Sequence, residues 1–262
     1  MTSEDRVKEL KRKILRAAYT AQEGHIASAF SVLDILYVLY AHVMKVSPSF
    51  VKHQARDCLI LSKGHASLAL YAVLEEIGFL MRGELNTFGK GRLGGHPCEE
   101  LVPGVEASTG SLGHGLPIAV GQAMALLKGQ LESRVFCIIG DGEMNEGSIW
   151  ESLLLAGHRR LTNLTVILDY NRSNDRALRL PISGRGASDI LCNMGWRVSS
   201  IDGHDHSDIS RAFTRVIDNR PHFVVANTVK GKGISEMEKD PHAWHHRAPT
   251  AEELALFLEE LK

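Results

Sequence analysis

The 262-residue chain balances 30 Lys and Arg against 31 Asp and Glu, so it carries no basic stripe for nucleic acid and no polybasic segment for a membrane surface. Its length suits one α/β domain spanning residues 1–262. The polar start MTSEDRVKELKRK lacks an apolar signal core, nothing reads as an 18-residue apolar span, and the cysteines form no Cys-x-x-Cys pair, which together predict a cytoplasmic protein.

In chain order, helical periodicity predicts helices over 7–20 and 32–44, bracketing a Gly24-His25-Ile26-Ala27-Ser28 turn. Residues 58–61 (CLIL) read as a short strand that delivers Ser62-Lys63-Gly64-His65, with a helix over 65–76 closed by Gly78. The stretch 81–115 is rich in Gly and Pro; a loop that long inside a compact domain is usually functional. A helix is predicted over 116–128, a buried strand over 134–139, a helix over 146–158 and a second buried strand over 164–168. Further on come a short helix over 187–194, a strand over 196–201, a helix over 207–218 and an apolar strand over 223–229. Thr250 with Glu253 forms a capping box for a last helix over 251–261. Alternating strands and helices of these lengths imply an α/β fold, a mostly parallel sheet with helices on both faces.

The central strand–helix–strand stretch is the size of a βαβ unit and carries the most informative motif. Gly140-Asp141-Gly142 closes its first strand, and Asn171 in Asp-Tyr-Asn-Arg follows its second. Asp141 and Asn171 therefore fall just past the carboxyl ends of two parallel strands, where open α/β sheets bind ligands. One carboxylate, one amide oxygen and a nearby peptide carbonyl suit Mg²⁺, which takes oxygen ligands and leaves positions for phosphate and water. Glycines on either side of Asp141 let a diphosphate approach the backbone, and the helix that follows points free amides at it.

Thirteen histidines are the compositional oddity, several of them paired with glycine at His25, His65, His96 and His114, with a further cluster over 242–246. Imidazoles can donate or accept a proton near neutral pH, so a convergence of them would serve proton relay.

These motifs, in order, are GHIASAFSVLDIL, LSKGHASLALY, GGHP, STGSLGHGL, GDGEMNEGSIWE, LDYNR, and KGKG before WHHRAP. The chain resembles the amino-terminal, diphosphate-binding half of transketolase, in the split form where two polypeptides share the site. The resemblance implies the thiamine diphosphate-binding fold of the diphosphate (PP) domain. It further implies thiamine diphosphate as cofactor, with Mg²⁺ or Ca²⁺ bridging its diphosphate through Asp141, Asn171 and the backbone carbonyl of Ser173. Gly110, Ser111, Leu112 and Gly142 would line the cofactor together with His65 and Asn171. Glu146 would join them, and Glu146 and Glu151 match interface carboxylates proposed to couple two sites, beside their plain role at a helix start. His25, His65 and His96 match histidines facing the reacting ring and the sugar hydroxyls; His114 lies beside the lining loop. At the carboxyl end, a one-residue insertion in the alignment selects His242 as the site histidine, and its absence selects His245.

By the same resemblance, the activity is transfer of a two-carbon ketol unit between sugar phosphates, by default those of the pentose phosphate pathway. The partner would be a second chain carrying the pyrimidine-binding domain, in a heterotetramer of two copies of each. The alternatives are the α subunit of a 2-oxoacid dehydrogenase or a nonenzymatic thiamine diphosphate-binding homologue; a nicotinamide domain fails for lack of GxGxxG after the first strand. Two departures from the family pattern stand out. Gly-His-Ile-Ala-Ser lacks a second glycine found in many relatives, and Arg172-Ser173-Asn174-Asp175 replaces a more apolar segment.

Overall fold

The computed structural model describes residues 2–50, 55–173, 185–213 and 218–262. Five strands form one parallel sheet: β1 (Cys58–Leu61), β2 (Val135–Gly140), β3 (Leu164–Tyr170), β4 (Arg197–Asp202) and β5 (His222–Asn227), in spatial order β1-β2-β3-β5-β4. Strand residues alternate strictly between two cores, as a doubly covered sheet requires. Leu59, Leu61, Phe136, Ile138, Ile167, Val224 and Ala226 face one core. Ile60, Val135, Cys137, Ile139, Val166, Leu168 and Phe223 face the other. The first core is covered by α1 (Ser3–Ala21), α2 (Ile26–Val38), α3 (Ser67–Ile77), α7 (His206–Ala212) and α9 (Ala251–Glu260). The second is covered by α4 (Gly115–Lys128), α5 (Gly147–His158) and α6 (Arg185–Asn193). A short α8 (Ser235–Lys239), not expected from the sequence, precedes the histidine cluster.

Most boundaries fall within two residues of expectation, and the departures have physical reasons. α2 begins at Ile26, six residues before the expected start, and it continues as a π turn over Leu39–Val43. Every residue of α2 is buried, so no polar face marks its first turn, and the Ile-Ala-Ser expected in a turn is helical. The same helix corrects the expectation that no apolar span of 18 residues exists. Ile26–Val43 reaches a mean hydropathy of 1.7, and 83% of it is buried inside the protein, which accounts for its composition without a membrane. α7 ends at Ala212 rather than Asp218; residues 214–217 of that expected helix lie outside the described residues, as do Asn174 and Asp175.

The register places the site. Gly140 pairs with Asp169, and Tyr170 with Asn227, so Asp141, Asn171 and Thr228 all leave the sheet at one carboxyl edge.

Candidate active site at the carboxyl edge of the sheet

Asp141 enters a tight 3-10 turn directly after β2 and is buried. Its Oδ1 accepts the Gly142 N–H at 2.8 Å and the Ser173 hydroxyl at 2.9 Å. Asn171 Oδ1 accepts the Ser173 N–H at 3.1 Å, while Asn171 Nδ2 donates to Asp169 Oδ2 at 3.1 Å and Ser31 Oγ at 3.3 Å. The structure thus brings Asp141, Asn171 and Ser173, named from the sequence, into one hydrogen-bonded group. The acceptors at Asp169 and Ser31 fix the amide so that its oxygen faces the Ser173 N–H. Hard oxygens of this kind fit Mg²⁺ or Ca²⁺. A Cβ on Gly142 would meet nothing within 4 Å, so the backbone beside Asp141 borders open space. Together with Leu112, Lys63, His65, Lys230 and His245, these residues border a cavity of roughly 180 Å³.

Beneath this edge lies a buried polar layer that sequence reasoning missed. Lys63, at the end of β1, donates to Asp169 Oδ2 and to Ser31 Oγ and Ser28 O, the last two at 3.3 Å. Asp169 also accepts from Ser31 Oγ at 2.7 Å and from Thr228 Oγ1. Burial pushes the Asp169 carboxyl up, but the Lys63 charge and these hydrogen bonds outweigh it and hold Asp169 below the usual range. Glu143 staples a second loop: its Oε1 accepts from Ser62 Oγ at 2.5 Å and Gly113 N–H at 2.9 Å, and its Oε2 accepts from Gly140 N–H at 2.8 Å. The sequence signal for Asp169 was a carboxylate inside an otherwise apolar strand; Lys63 and Glu143 gave none.

The loop carrying Gly110, Ser111 and Leu112 is packed at backbone distance. A Cβ on Gly64 would lie 2.7 Å from the Thr109 carbonyl, and one on Gly110, at φ +153°, would lie 2.8 Å from the His96 ring. Leu112 borders the cavity, and Gly110 and Ser111 precede it in the same loop. Glu146 precedes α5 in extended conformation and packs against Gly113, next to Leu112; it and Glu151 are exposed.

Several of the histidines lie together in the structure. His25 lies 5.1 Å from His65, 5.4 Å from His245 and 4.5 Å from His246, ring centre to ring centre. His245, not His242, faces this group: the turn closed by His245 N–H to His242 O buries Trp244, brings His245 to the cavity and leaves His242 outside its wall. No insertion is needed to place the imidazole. Lys230 Nζ, 3.0 Å away, donates to His245 Nδ1. Burial, reinforced by His246, His245 and His96, lowers His25 to about 4. Burial and the Lys63 charge lower His65 to about 2, and burial then Lys230 lower His245. Burial and Lys63 bring Lys230 down to about 8, against the pull of Asp141 and Asp169. His96 is exposed beside Gly110, and exposed His114 contacts Leu112 O at 3.1 Å from the mouth of α4.

Hard oxygen ligands at a sheet edge, amine charge behind them and neutral imidazoles in front are suited to a metal-bridged diphosphate and proton transfer beside it. Comparison with known proteins names the class. Residues 4–261 match the family model described as "Transketolase, thiamine diphosphate binding domain", and the chain belongs to that family. Within it, the chain is 38% identical over 255 residues to one of the subunits of an apulose-4-phosphate transketolase of Phocaeicola vulgatus, covering 93% of this chain and 88% of that protein. It is 37% identical to a 6-deoxy-6-sulfo-D-fructose transketolase subunit of a Clostridium species, covering 82% and 80%. A transketolase from Campylobacter jejuni superposes with a TM-score of 0.88 at 28% identity; all of this chain matches 43% of that one.

Proposed function

We propose that this chain is the diphosphate-binding subunit of a two-chain transketolase, using thiamine diphosphate and Mg²⁺ to move a two-carbon ketol unit from a ketose to an aldose phosphate. The observation that carries this is the group Asp141, Asn171 and Ser173, which fits a hard cation, set against the converging His25, His65 and His245. Coverage supports the two-chain form: the chain spans 88% of the Phocaeicola protein but only 43% of the Campylobacter transketolase. The named relatives act on apulose 4-phosphate and a sulfonated fructose, so specialised ketoses stand beside the sugars of the pentose phosphate pathway as substrates. The matched family and relatives favour neither a 2-oxoacid dehydrogenase subunit nor a nonenzymatic homologue.

Each residue would have a defined task. Asp141, Asn171 and the Ser173 carbonyl would hold the metal, and the Lys230 ammonium would add positive charge at the diphosphate. When bound, the cofactor supplies the electron sink for C–C bond cleavage and formation. His25 and His65, held neutral at pH 7, are free to accept a proton from a sugar hydroxyl, and the cationic neighbours favour its return.

The test is calorimetric titration of thiamine diphosphate with and without Mg²⁺. Asp141→Ala should abolish metal-dependent binding, because a methyl cannot ligate the ion. Asn171→Ala should weaken it less, since only a neutral ligand is lost. Equal affinity in wild type and Asp141→Ala would sink the assignment.

A further inference from the structure

β5 ends at Asn227, and the segment that follows brings Thr228 to Asp169 and Lys230 to the cavity. Within it, Lys232 N–H closes a turn on Val229 O at 3.2 Å. Thr228 N–H reaches Tyr170 O at a long 3.3 Å, and Gly231 N–H reaches Ala27 O at 2.9 Å. Between them, Val229 N–H donates to His204 Nε2 at 2.9 Å. A backbone N–H can only donate, so Nε2 offers its lone pair and the ring proton sits on Nδ1. That proton is given to Asp34 Oδ2 at 2.9 Å. Asp34 is buried in α2, with His206 Nε2 at 2.8 Å from its other oxygen and Lys11 Nζ at 4.0 Å. Burial pushes its carboxyl up, but the hydrogen bonds from His204 and His206 and the Lys11 charge hold it well below the usual range. The turn carrying His204 is itself pinned: its N–H donates to Asp202 Oδ1 at 2.8 Å, and a Cβ on Gly203 would lie 2.4 Å from Thr228 Cγ2.

We infer that His204, with its tautomer set by Asp34, is a positioning residue for the Thr228–Lys230 segment at the diphosphate site, resting on the function proposed above. It acts through peptide 229, on one side keeping Thr228 on Asp169, which orients Asn171, and on the other holding Lys230 against the cavity and His245. An aspartate–histidine pair elsewhere in a protein suggests proton transfer; here the ring faces a peptide N–H, so its task is geometric.

Two side-chain amides separate the ring's two contacts. Asn reproduces the reach of Nδ1 and keeps a partner for Asp34, while Gln reproduces the reach of Nε2 and keeps an acceptor for Val229. Loss of one such hydrogen bond weakens affinity by about tenfold. Thiamine diphosphate is titrated with Mg²⁺ into the full chain and its variants, and amide exchange at Val229 and Gly231 is followed without cofactor. His204→Asn and His204→Ala should weaken cofactor binding about tenfold and speed exchange at both amides, with His204→Gln staying within about threefold of wild type. Wild-type affinity in His204→Asn, or equal weakening in His204→Gln, would overturn the anchor. If wild type itself shows no metal-dependent binding, the proposed function fails, and the exchange rates alone decide the anchor.

Discussion

At His25, desolvation and the neighbouring imidazoles all oppose protonation, and the ring stands at the amino end of α2, where the helix dipole opposes it too. The linkage sign follows. The unfolded ring takes up a proton near 6.5 and the folded one only near about 4, so below 6.5 the unfolded state binds more protons. Stability supported by neutral His25 is present above pH 6.5 and is lost as pH falls through the window to about 4. His25→Asn should therefore lose less stability than wild type across that window in denaturant titrations at stepped pH; parallel curves would mean the depression is absent. For catalysis, His25→Ala or His65→Ala should lower turnover by about 10²-fold while cofactor affinity stays within a few-fold, the pattern of a lost acid–base group. A fall in thermal stability with unchanged turnover would make them structural histidines. The sequence exposed Asp141, Asn171 and the Gly-His pairs because each sits where a periodic run ends. Lys63 and Glu143 were not legible, since buried and solvated charges use the same letters, and Asp169 was marked only by its place in an apolar strand. His242 was preferred over His245 because spacing cannot say which ring a turn directs inward.

Among the elements, α9 shows how a helix far from the sheet edge positions the site. Its capping box is intact, with Glu253 N–H donating to Thr250 Oγ1 at 3.2 Å and Thr250 N–H to Glu253 Oε2 at 2.8 Å. Phe257 of this helix meets Trp244 edge to face at 5.2 Å, and the Arg247 guanidinium covers the indole at 3.8 Å. Trp244 immediately precedes His245, so packing of α9 sets the imidazole. Thr250→Ala should cost about 1 kcal/mol by thermal or denaturant unfolding, with turnover nearly unchanged. Phe257→Ala should cost about 3–5 kcal/mol and also lower turnover in the folded protein, because it frees the Trp244 segment. Full activity in folded Phe257→Ala would show that His245 is held by other contacts. The cap of α9 was readable because its pattern is local. The start of α2 was not, because a helix buried on all sides has no period to break.

Across the whole molecule, the described surface bears features that a partner would complete. α4 and α5 pack together and flank the Leu112 and Gly142 loops, and they expose Ile118, Leu154 and Leu155, with Leu154 at 56%. Apolar side chains grouped beside a site mark an interaction surface more often than isolated ones do. Exposed Glu146 and Glu151 lie along the start of α5. The chemistry asks for the same partner. Asp141, Asn171, Lys230 and His245 gather at one edge of this sheet, and the chain matches 43% of the Campylobacter transketolase. This 262-residue polypeptide, supplied with thiamine diphosphate, Mg²⁺ and sugar phosphates, should bind cofactor yet give no ketol transfer until a second chain with the pyrimidine-binding domain is added. Leu154→Lys should reduce self-association of the chain in sedimentation and weaken its response to the partner, because burying the ammonium would require desolvating it. Full ketol transfer by this polypeptide without a second chain would overturn the two-chain reading while leaving the metal and histidine assignments intact.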